Sequence, residues 1–353
     1  MKRIRVLALA SYPVEAASSR HRIVQFIEPL SLRGIDVTFS PFLDRVLFEA
    51  LYKPGTLLRR LPRLLFRTVS RLGAVFAAAR ADFVFVQREA MLFGPPVIEW
   101  LIARVLRKPM ILDLDDASWI AYTSPVYGRF ATWLKWTSKT DRQIRWARAV
   151  TCGSPNVAAY AKGKLIPTVV DTKRFRPAAR RDDPVPIVGW VGTHGTYAYL
   201  ERLLPLFARL ASEAPFRLRI VGSGRANIEV PGVDVENRPW SLDREVDDFQ
   251  ALDVGVYPIA DDAWSAGKAG FKAVQYMATG VPFVMSPVGV CASMGIPGRT
   301  HLLAKSDDEW HAALLRLIGD ARLRESMARE GREFAEAHYD IEPQADALAE
   351  VFR

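Results

Sequence analysis

The sequence predicts an α/β protein built from two doubly wound parallel sheets that face each other across a cleft. Three observations carry that expectation. At 353 residues the chain exceeds what one hydrophobic core usually serves, so two domains of ordinary size are expected. Short runs rich in β-branched residues alternate with segments of helical length and period, the pattern of parallel sheets covered on both faces. After Pro177 the stretch AARRDDPVP, charged and broken by prolines, interrupts that alternation, which then begins again.

In chain order the first half offers the strands IRVLALA (Ile4–Ala10), IDVTFSPF (Ile35–Phe42), DFVFVQ (Asp82–Gln87), PMILDLD (Pro109–Asp115) and AVTCGS (Ala149–Ser154). Between the first two, SRHRIVQFIEPLSLRG reads as one helix from Ser19 that stops on Gly34. The second half restarts with IVGWVG (Ile187–Gly192), FRLRIVGSG (Phe216–Gly224), DVGVYPI (Asp253–Ile259) and PFVMSPVG (Pro282–Gly289). The expected limits are a first domain over 1–170, a linker over 171–186 and a second domain over 187–335. A C-terminal helix over 336–353 is expected to pack back on the first domain. Ligands of such sheets bind outside the carboxyl ends of the strands, which here means in the cleft.

Half the residues are apolar and a quarter charged, the profile of a soluble globular chain. Cys152 and Cys291 form neither a disulfide framework nor a metal-ligand spacing, which suits a reducing compartment. In the opening MKRIRVLALA only Val6–Ala10 is continuously apolar, too short for a signal-peptide core, and no window approaches a membrane span. A cytoplasmic protein is expected, with peripheral attachment to the inner face of the cell membrane as a variant of that reading. Residues 1–150 hold 24 Lys and Arg against 12 Asp and Glu, giving +12, while residues 151–353 hold 24 against 27, giving −3. The basic half points to an anionic partner: a membrane surface, nucleic acid or a phosphorylated substrate. Nucleic acid is disfavoured, because no aromatic stacking motif or basic helix module accompanies the charge. The stretch FEALYKPGTLLRRLPRLLFRTVSRLGAVFAAARA interleaves Arg59, Arg60, Arg63, Arg67, Arg71 and Arg80 with apolar residues. It reads either as a contact with an anionic membrane surface or as a helix packed on the sheet with its arginines in water.

The motifs fall after strands. IVGWVGTHGTYAYLERLL is a strand, a loop holding Gly189, Gly192 and Gly195, and a helix starting near Tyr197. Glycines let a phosphate approach the backbone, and a helix N-terminus favours negative charge. The loop lacks a Walker ending and the full dinucleotide fingerprint, so a plain tight turn explains it equally well. RLRIVGSGR repeats the device and adds Arg225, and GKAGFKAVQYMATG repeats it with Lys268 and Lys272. A helix that begins at Gly270 or Phe271 places Lys272 in its first turn, where the macrodipole opposes a cation, and a diphosphate would compensate. A solvated lysine is the plainer reading, as is interdomain packing for Gln275 and Tyr276. Asp113, Asp115 and Asp116 at a strand end suggest either a metal or contacts to sugar and acceptor hydroxyls. A cap for a helix before Trp119 is the plainer reading of Asp116. Arg20, His21 and Arg22 follow the first strand and suit an anionic acceptor or a basic solvated face. His194, His301, His311 and His338 show no ligand spacing.

Taken in order, SSRHR, VQRE, LDLDDASW, IPTVVDTKRF, GWVGT, DVGVYPI, DDAWSAGKAGFKAVQYMATGVPFVMSPVG and a late YD resemble the retaining nucleotide-sugar glycosyltransferases of family 4, with the GT-B fold. The resemblance spans nearly the whole chain and is most specific over Gly267–Gly289. The LDLDDASW block is similar to a bacterial subgroup acting on cell-surface polysaccharides or lipid-linked saccharides. The resemblance implies transfer of a sugar from a nucleoside diphosphate donor, UDP or GDP, held by the second domain, to a glycan or lipid-linked acceptor held by the first. No cofactor or metal is implied, since the fold usually does without one. The family's two glutamates, eight positions apart, fall on Gly267 and Gln275. Gln275 then meets the ribose through its amide, and Lys268 with the backbone of Gly270 and Phe271 covers the sugar end. The resemblance also gives Lys272 the donor diphosphate with Arg225 as a second cation, and Gly192 and Thr193 the border of the phosphates and reacting sugar. Arg238 and Trp240, in NRPWS, border the nucleobase. Asp115 falls where many relatives carry a histidine near the donor sugar, leaving Arg20, His21, Arg22 and Asp116 for the acceptor. The implied reaction is a front-face displacement in which the leaving phosphate takes the acceptor proton. A nucleotide-sugar 2-epimerase and, given Gly267, a non-catalytic nucleotide-sugar binder are the alternatives.

Overall fold

The computed structural model describes residues 3–51, 53, 55–121, 128–179, 183 and 185–353. Met1, Lys2 and the middle of the expected linker, Arg180, Arg181, Asp182 and Pro184, lie outside the described residues. The chain divides into two compact units. The first comprises Met1–Thr168, Gly267–Ala269 and Ile341–Arg353, and the second Val169–Ala266 and Gly270–Asp340.

The first unit holds strands β1 (Ile4–Ala10), β2 (Ile35–Pro41), β3 (Phe83–Gln87), β4 (Met110–Leu114), β5 (Ala149–Cys152) and β6 (Lys164–Leu165). All pair in parallel, in the order β2-β1-β3-β4-β5-β6, with Val6 opposite both Val37 and Phe83. One face of this sheet buries Leu7, Leu9, Val84, Val86, Leu112 and Leu114. The helix Ile341–Val351 belongs to this unit, where Arg33 bonds Asp346 at 2.6 Å and Glu342 at 3.1 Å. The Phe352 ring meets those of Phe83 and Phe85 edge-on.

The second unit holds β7 (Ile187–Val191), β8 (Arg217–Val221), β9 (Asp234–Arg238), β10 (Val254–Tyr257), β11 (Phe283–Met285) and β12 (Leu302–Leu303), in the order β12-β11-β10-β7-β8-β9. Along β7 the side chains alternate between two cores, Val188 and Trp190 in one, Ile187 and Val191 in the other. A strand buried on both faces reads as a continuous apolar run, as IVGWV does. The helix Phe271–Ala278 lies close on this sheet because Gly255 carries no side chain: a Cβ there would come 2.5 Å from the Tyr276 ring. The Tyr276 hydroxyl is held between the carbonyls of Gly189 (3.3 Å) and Val256 (3.2 Å).

Two expectations are corrected. Ser19–Gly34 is not one helix but Ala17–Arg22, a 3-10 turn Val24–Phe26 and Ile27–Leu32. The first helix ends at Ile23, whose backbone (φ −128°, ψ −62°) is not helical, and Pro29 keeps the next turn from α-helical bonding, since it has no N–H for the Gln25 carbonyl and its ring crowds that group. The second correction concerns the arginines of the helix Leu61–Arg71. Arg71 is buried and donates to the carbonyls of Ala90 (2.8 Å), Ser40 (2.8 Å) and Ala10 (3.2 Å). Arg67 is half-buried and donates to those of Phe42 (2.7 Å) and Pro41 (2.6 Å). Arg67 and Arg71 therefore lie on the packed side, while Arg63 stays exposed and ion-paired with Asp44 at 2.7 Å. Among the described residues no helix is long and apolar enough to cross a membrane.

His301 is fully buried, its ring stacked 5.3 Å from Phe283 and its Nδ1 2.9 Å from Thr300 Oγ1. Burial pushes its pKa down to about 4. The folded state therefore keeps the ring neutral while the unfolded chain protonates below about pH 6.5. Because the unfolded state then binds the extra proton, stability falls as pH drops from about 6.5 towards 4, by up to about 3 kcal/mol. Urea titrations across that range should show this slope in the wild type and a flatter one in His301→Gln. Parallel slopes would contradict the assignment.

Candidate functional site

In both sheets the chain reverses direction of growth beside the first strand, between β1 and β3 in the first unit and between β7 and β10 in the second. A crevice opens at the carboxyl ends of strands at such a switch point. The sequence motifs end there.

In the second unit, the loop after β7 carries Gly192 and Thr193. Gly192 N–H donates to Val221 O at 3.0 Å, and a Cβ on Gly222, whose φ is +81°, would fall 2.3 Å from Gly192 O. The loops after β7 and β8 thus touch through bare backbone, which only glycine at 222 allows. Thr193 is exposed, its N–H bonded to Thr196 Oγ1 at 3.1 Å. Arg225 is exposed with its guanidinium 5.4 Å from the Tyr197 ring centre. Its carbonyl accepts from Asn237 Nδ2 at 2.8 Å, which latches the loop after β8 to the end of β9. Burial lowers the His194 pKa, and the nearby Arg225 charge lowers it further. Arg238 is ion-paired with Glu236 and lies 3.6 Å from Asp248, a carboxyl raised above its usual range by burial. Trp240 is half-buried against the core cluster that includes Val221 and Phe249.

After β10, the helix Phe271–Ala278 starts from Gly270, which caps it at φ +68°, a left-handed conformation that side chains resist. Lys272 stands in its first turn, half-buried. Its Nζ donates to Gln275 Oε1 at 3.0 Å and lies 5.1 Å from the Phe249 ring centre. Fully buried Gln275 in turn donates to Glu245 Oε1 at 3.3 Å, and Arg174 Nη2 stands 4.0 Å from Glu245 Oε2. Glu245 thus sets a buried carboxylate behind the Gln275 amide. Nothing in SLDREVDDFQ distinguished it from its acidic neighbours, and Arg174 was equally unmarked.

In the first unit, Arg88 follows β3 with φ +59°, a strained backbone for a residue with a side chain. It donates from Nε and Nη2 to Asp115 and from Nη2 to Asp116 at 2.6 Å. Gln87 Nε2 adds a bond to Asp115 at 3.0 Å. Burial works against the charged form of Asp115, yet Arg88 outweighs it and its pKa falls, while burial and the Asp115 charge raise that of Asp116. The two carboxyls titrate as a unit around one guanidinium. Asp116 therefore serves Arg88 and caps no helix, since Asp116–Ile120 is bend and turn. Arg88 is a further residue that sequence reasoning missed, although VQRE at a strand end was its signal.

Asp113 is committed elsewhere. Arg22 Nε donates to it at 3.0 Å and Thr151 Oγ1 at 2.6 Å, inside the unit. Arg22 is therefore buried and structural rather than placed on a solvated face. Arg20 and His21 are also buried: Arg20 donates to Val14 O (2.8 Å) and Glu15 O (3.1 Å), and His21 Nδ1 lies 3.2 Å from Gln25 Oε1. Among the described residues no cluster of His, Cys, Asp or Glu is arranged to hold a metal. Lys268 is half-buried in the segment Gly267–Ala269, which groups with the first unit. Both cysteines are buried and form no disulfide with each other.

Residues 185–320, which hold the glycine loops and Lys272, match the family described as Glycosyl transferases group 1. No curated protein matches the chain. Solved structures similar over the whole chain include sucrose-phosphate synthase from Thermosynechococcus elongatus, at 17% identity and TM-score 0.69, covering 100% of this chain and 98% of that one. Anabaena HepE in complex with UDP and glucose matches at 15% identity and TM-score 0.69, covering 98% of each. A glycosyltransferase from Rickettsia africae matches at 11% and 0.69, covering 99% and 98%. The fold is GT-B.

Proposed function

We propose that this chain is a retaining glycosyltransferase that moves a sugar from a nucleoside diphosphate sugar, UDP or GDP, to a hydroxyl of a glycan or lipid-linked saccharide in cell-surface polysaccharide synthesis. The observation that carries the proposal is the pairing, at the switch point of the second sheet, of bare-backbone glycine loops with a helix mouth bearing Lys272. Glycines admit phosphate oxygens to backbone N–H groups, the helix start offers further donors, and the lysine supplies charge. The family match over the same residues supports the reading, as does UDP with glucose in the HepE complex.

The acceptor oxygen bonds the anomeric carbon on the face the diphosphate leaves. The bond from that carbon to the phosphate oxygen breaks, and this oxygen takes the acceptor proton. The protein needs no nucleophile of its own. Its task is to stabilise charge growing on the diphosphate, which falls to Lys272, Lys268, Arg225 and the amides around Gly192, Thr193, Gly270 and Phe271. Gln275, with Glu245 behind it, holds the ribose, and Arg238 and Trp240 border the base. The Asp115–Arg88–Asp116 group contacts sugar and acceptor hydroxyls, and Arg20 and His21 are assigned to the acceptor side. No cofactor enters this scheme.

Purified protein incubated with UDP-glucose or GDP-mannose and a panel of polyprenyl-linked saccharides tests it. Equal amounts of glycosylated acceptor and free nucleoside diphosphate, with the anomeric configuration kept, are expected. A 2-epimer formed without acceptor would make the protein an isomerase. Inversion at the anomeric carbon would refute the retaining step.

A further inference from the structure

The helices Leu61–Arg71 and Gly73–Arg80 of the first unit present their apolar side outward. A helix on the surface of a soluble domain ordinarily buries its apolar stripe and shows its charges to water. Here the polarity is reversed. Arg67 and Arg71 point inward to backbone carbonyls, while Leu61, Leu65, Phe66, Val69, Leu72 and Phe76 are between 45 and 76% exposed. The spacing 61, 65, 69, 72, 76 is one continuous helical stripe, and it survives the junction because the Leu72 backbone is itself helical (φ −59°, ψ −30°). At 1.5 Å per residue the stripe runs about 22 Å. In the second unit, by contrast, the only large apolar side chain exposed among the described residues is Ile296.

Charge complementarity selects the occupant. Arg59 and Arg60 are exposed at the start of the stripe, and Arg80 is exposed at its end. The half of the chain that carries it has the +12 balance. Leu64, on the inner side of the first helix, shares a cluster with Phe93, and the next residue, Gly94, donates its N–H to Leu134 O. This tie brings in the helix Gly128–Lys135, where Trp133 is 70% exposed, with Trp136 also exposed just beyond. Tryptophan, an outward apolar stripe and arginines at its ends form the composition of a helix lying in the headgroup layer of an anionic bilayer.

We propose that this face docks the first unit on an anionic lipid bilayer, with Leu65, Phe66, Val69, Leu72 and Phe76 entering the acyl boundary and Arg59, Arg60 and Arg80 contacting lipid phosphates. The inference does not depend on the reaction assigned above, and it is tested without turnover. Full-length protein is sedimented with vesicles of phosphatidylcholine alone or mixed with phosphatidylglycerol. Wild-type protein should pellet with the mixed vesicles and be partly released by salt. The triple variant Leu65→Ser, Phe66→Ser, Val69→Ser changes only exposed side chains, so it should keep the wild-type circular dichroism while its vesicle partition falls at least about tenfold. Arg59→Gln with Arg60→Gln should weaken binding to the anionic vesicles by about fivefold per arginine and reduce the salt effect. Wild-type protein left in the supernatant, or a triple variant that pellets equally well, overturns the proposal. A concentration-dependent dimer in sedimentation velocity that the triple variant abolishes, with no vesicle binding, would assign the face to a second copy of the chain and also overturn it.

Discussion

Lys272→Ala is expected to lower sugar transfer by about 10²–10³-fold, the usual cost of removing one group that stabilises charge developing at a leaving oxygen. Stability should change little, because the side chain is half-buried at a helix mouth, where its partners include a neutral amide oxygen and an aromatic ring. The macrodipole in fact opposes a cation in the first turn, so its loss removes an unfavourable interaction from the ligand-free protein. The loss should appear in kcat more than in KM, since the diphosphate gains charge on the way to the transition state. Lys272→Arg should recover part of the rate. Steady-state kinetics with thermal unfolding of the same preparations checks both halves, and unchanged kcat in Lys272→Ala would remove this residue from the reaction.

Asp113→Ala should destabilise the first unit by about 3–5 kcal/mol, the cost of leaving a buried charge without its partner. The Arg22 and Asp113 side chains are 3% and 1% exposed, so water cannot take the carboxylate's place. Arg22 also donates to Ile166 O at 2.6 Å, which ties the helix after β1 to the residue that follows β6. The loss should therefore spread beyond β4. Replacing both partners with apolar residues of similar shape, Arg22→Met with Asp113→Leu, should restore much of it, because no lone charge then stays in the core. Denaturant titrations of the three proteins decide this. If the single variant lost under about 1 kcal/mol, the pair would be too solvated to matter.

Much of the fold was legible because buried parallel strands advertise themselves. IRVLALA, DFVFVQ and IVGWVG are apolar on both faces, and each became a central strand. The sheet edges were not legible. β6 and β12 are two residues each, and β9, DVENR, is polar and only half-buried, so neither length nor period marks them. The mouth of the helix Phe271–Ala278 was also readable, since a glycine before an amphipathic run marks a start. What a sequence cannot show is pairing at a distance. Arg22 read as an acceptor contact or part of a basic surface because its partner Asp113 lies 91 positions away, and Arg88 was unremarked until the fold set it against Asp115 and Asp116. The arginines of Leu61–Arg71 misled in the same way. Their spacing was clear, but which side of the helix the sheet would take was decided by the backbone carbonyls of Pro41, Phe42 and Ala90.

Binding of a nucleoside diphosphate is the central claim, and isothermal titration calorimetry tests it most directly. UDP and GDP are titrated separately into wild-type protein and into Lys272→Ala without any acceptor. One of the two nucleotides should bind the wild type with one site per chain, and the variant should bind it at least about tenfold more weakly, a loss of about 1.4 kcal/mol. No heat from either nucleotide, or equal affinity in the variant, would contradict the account.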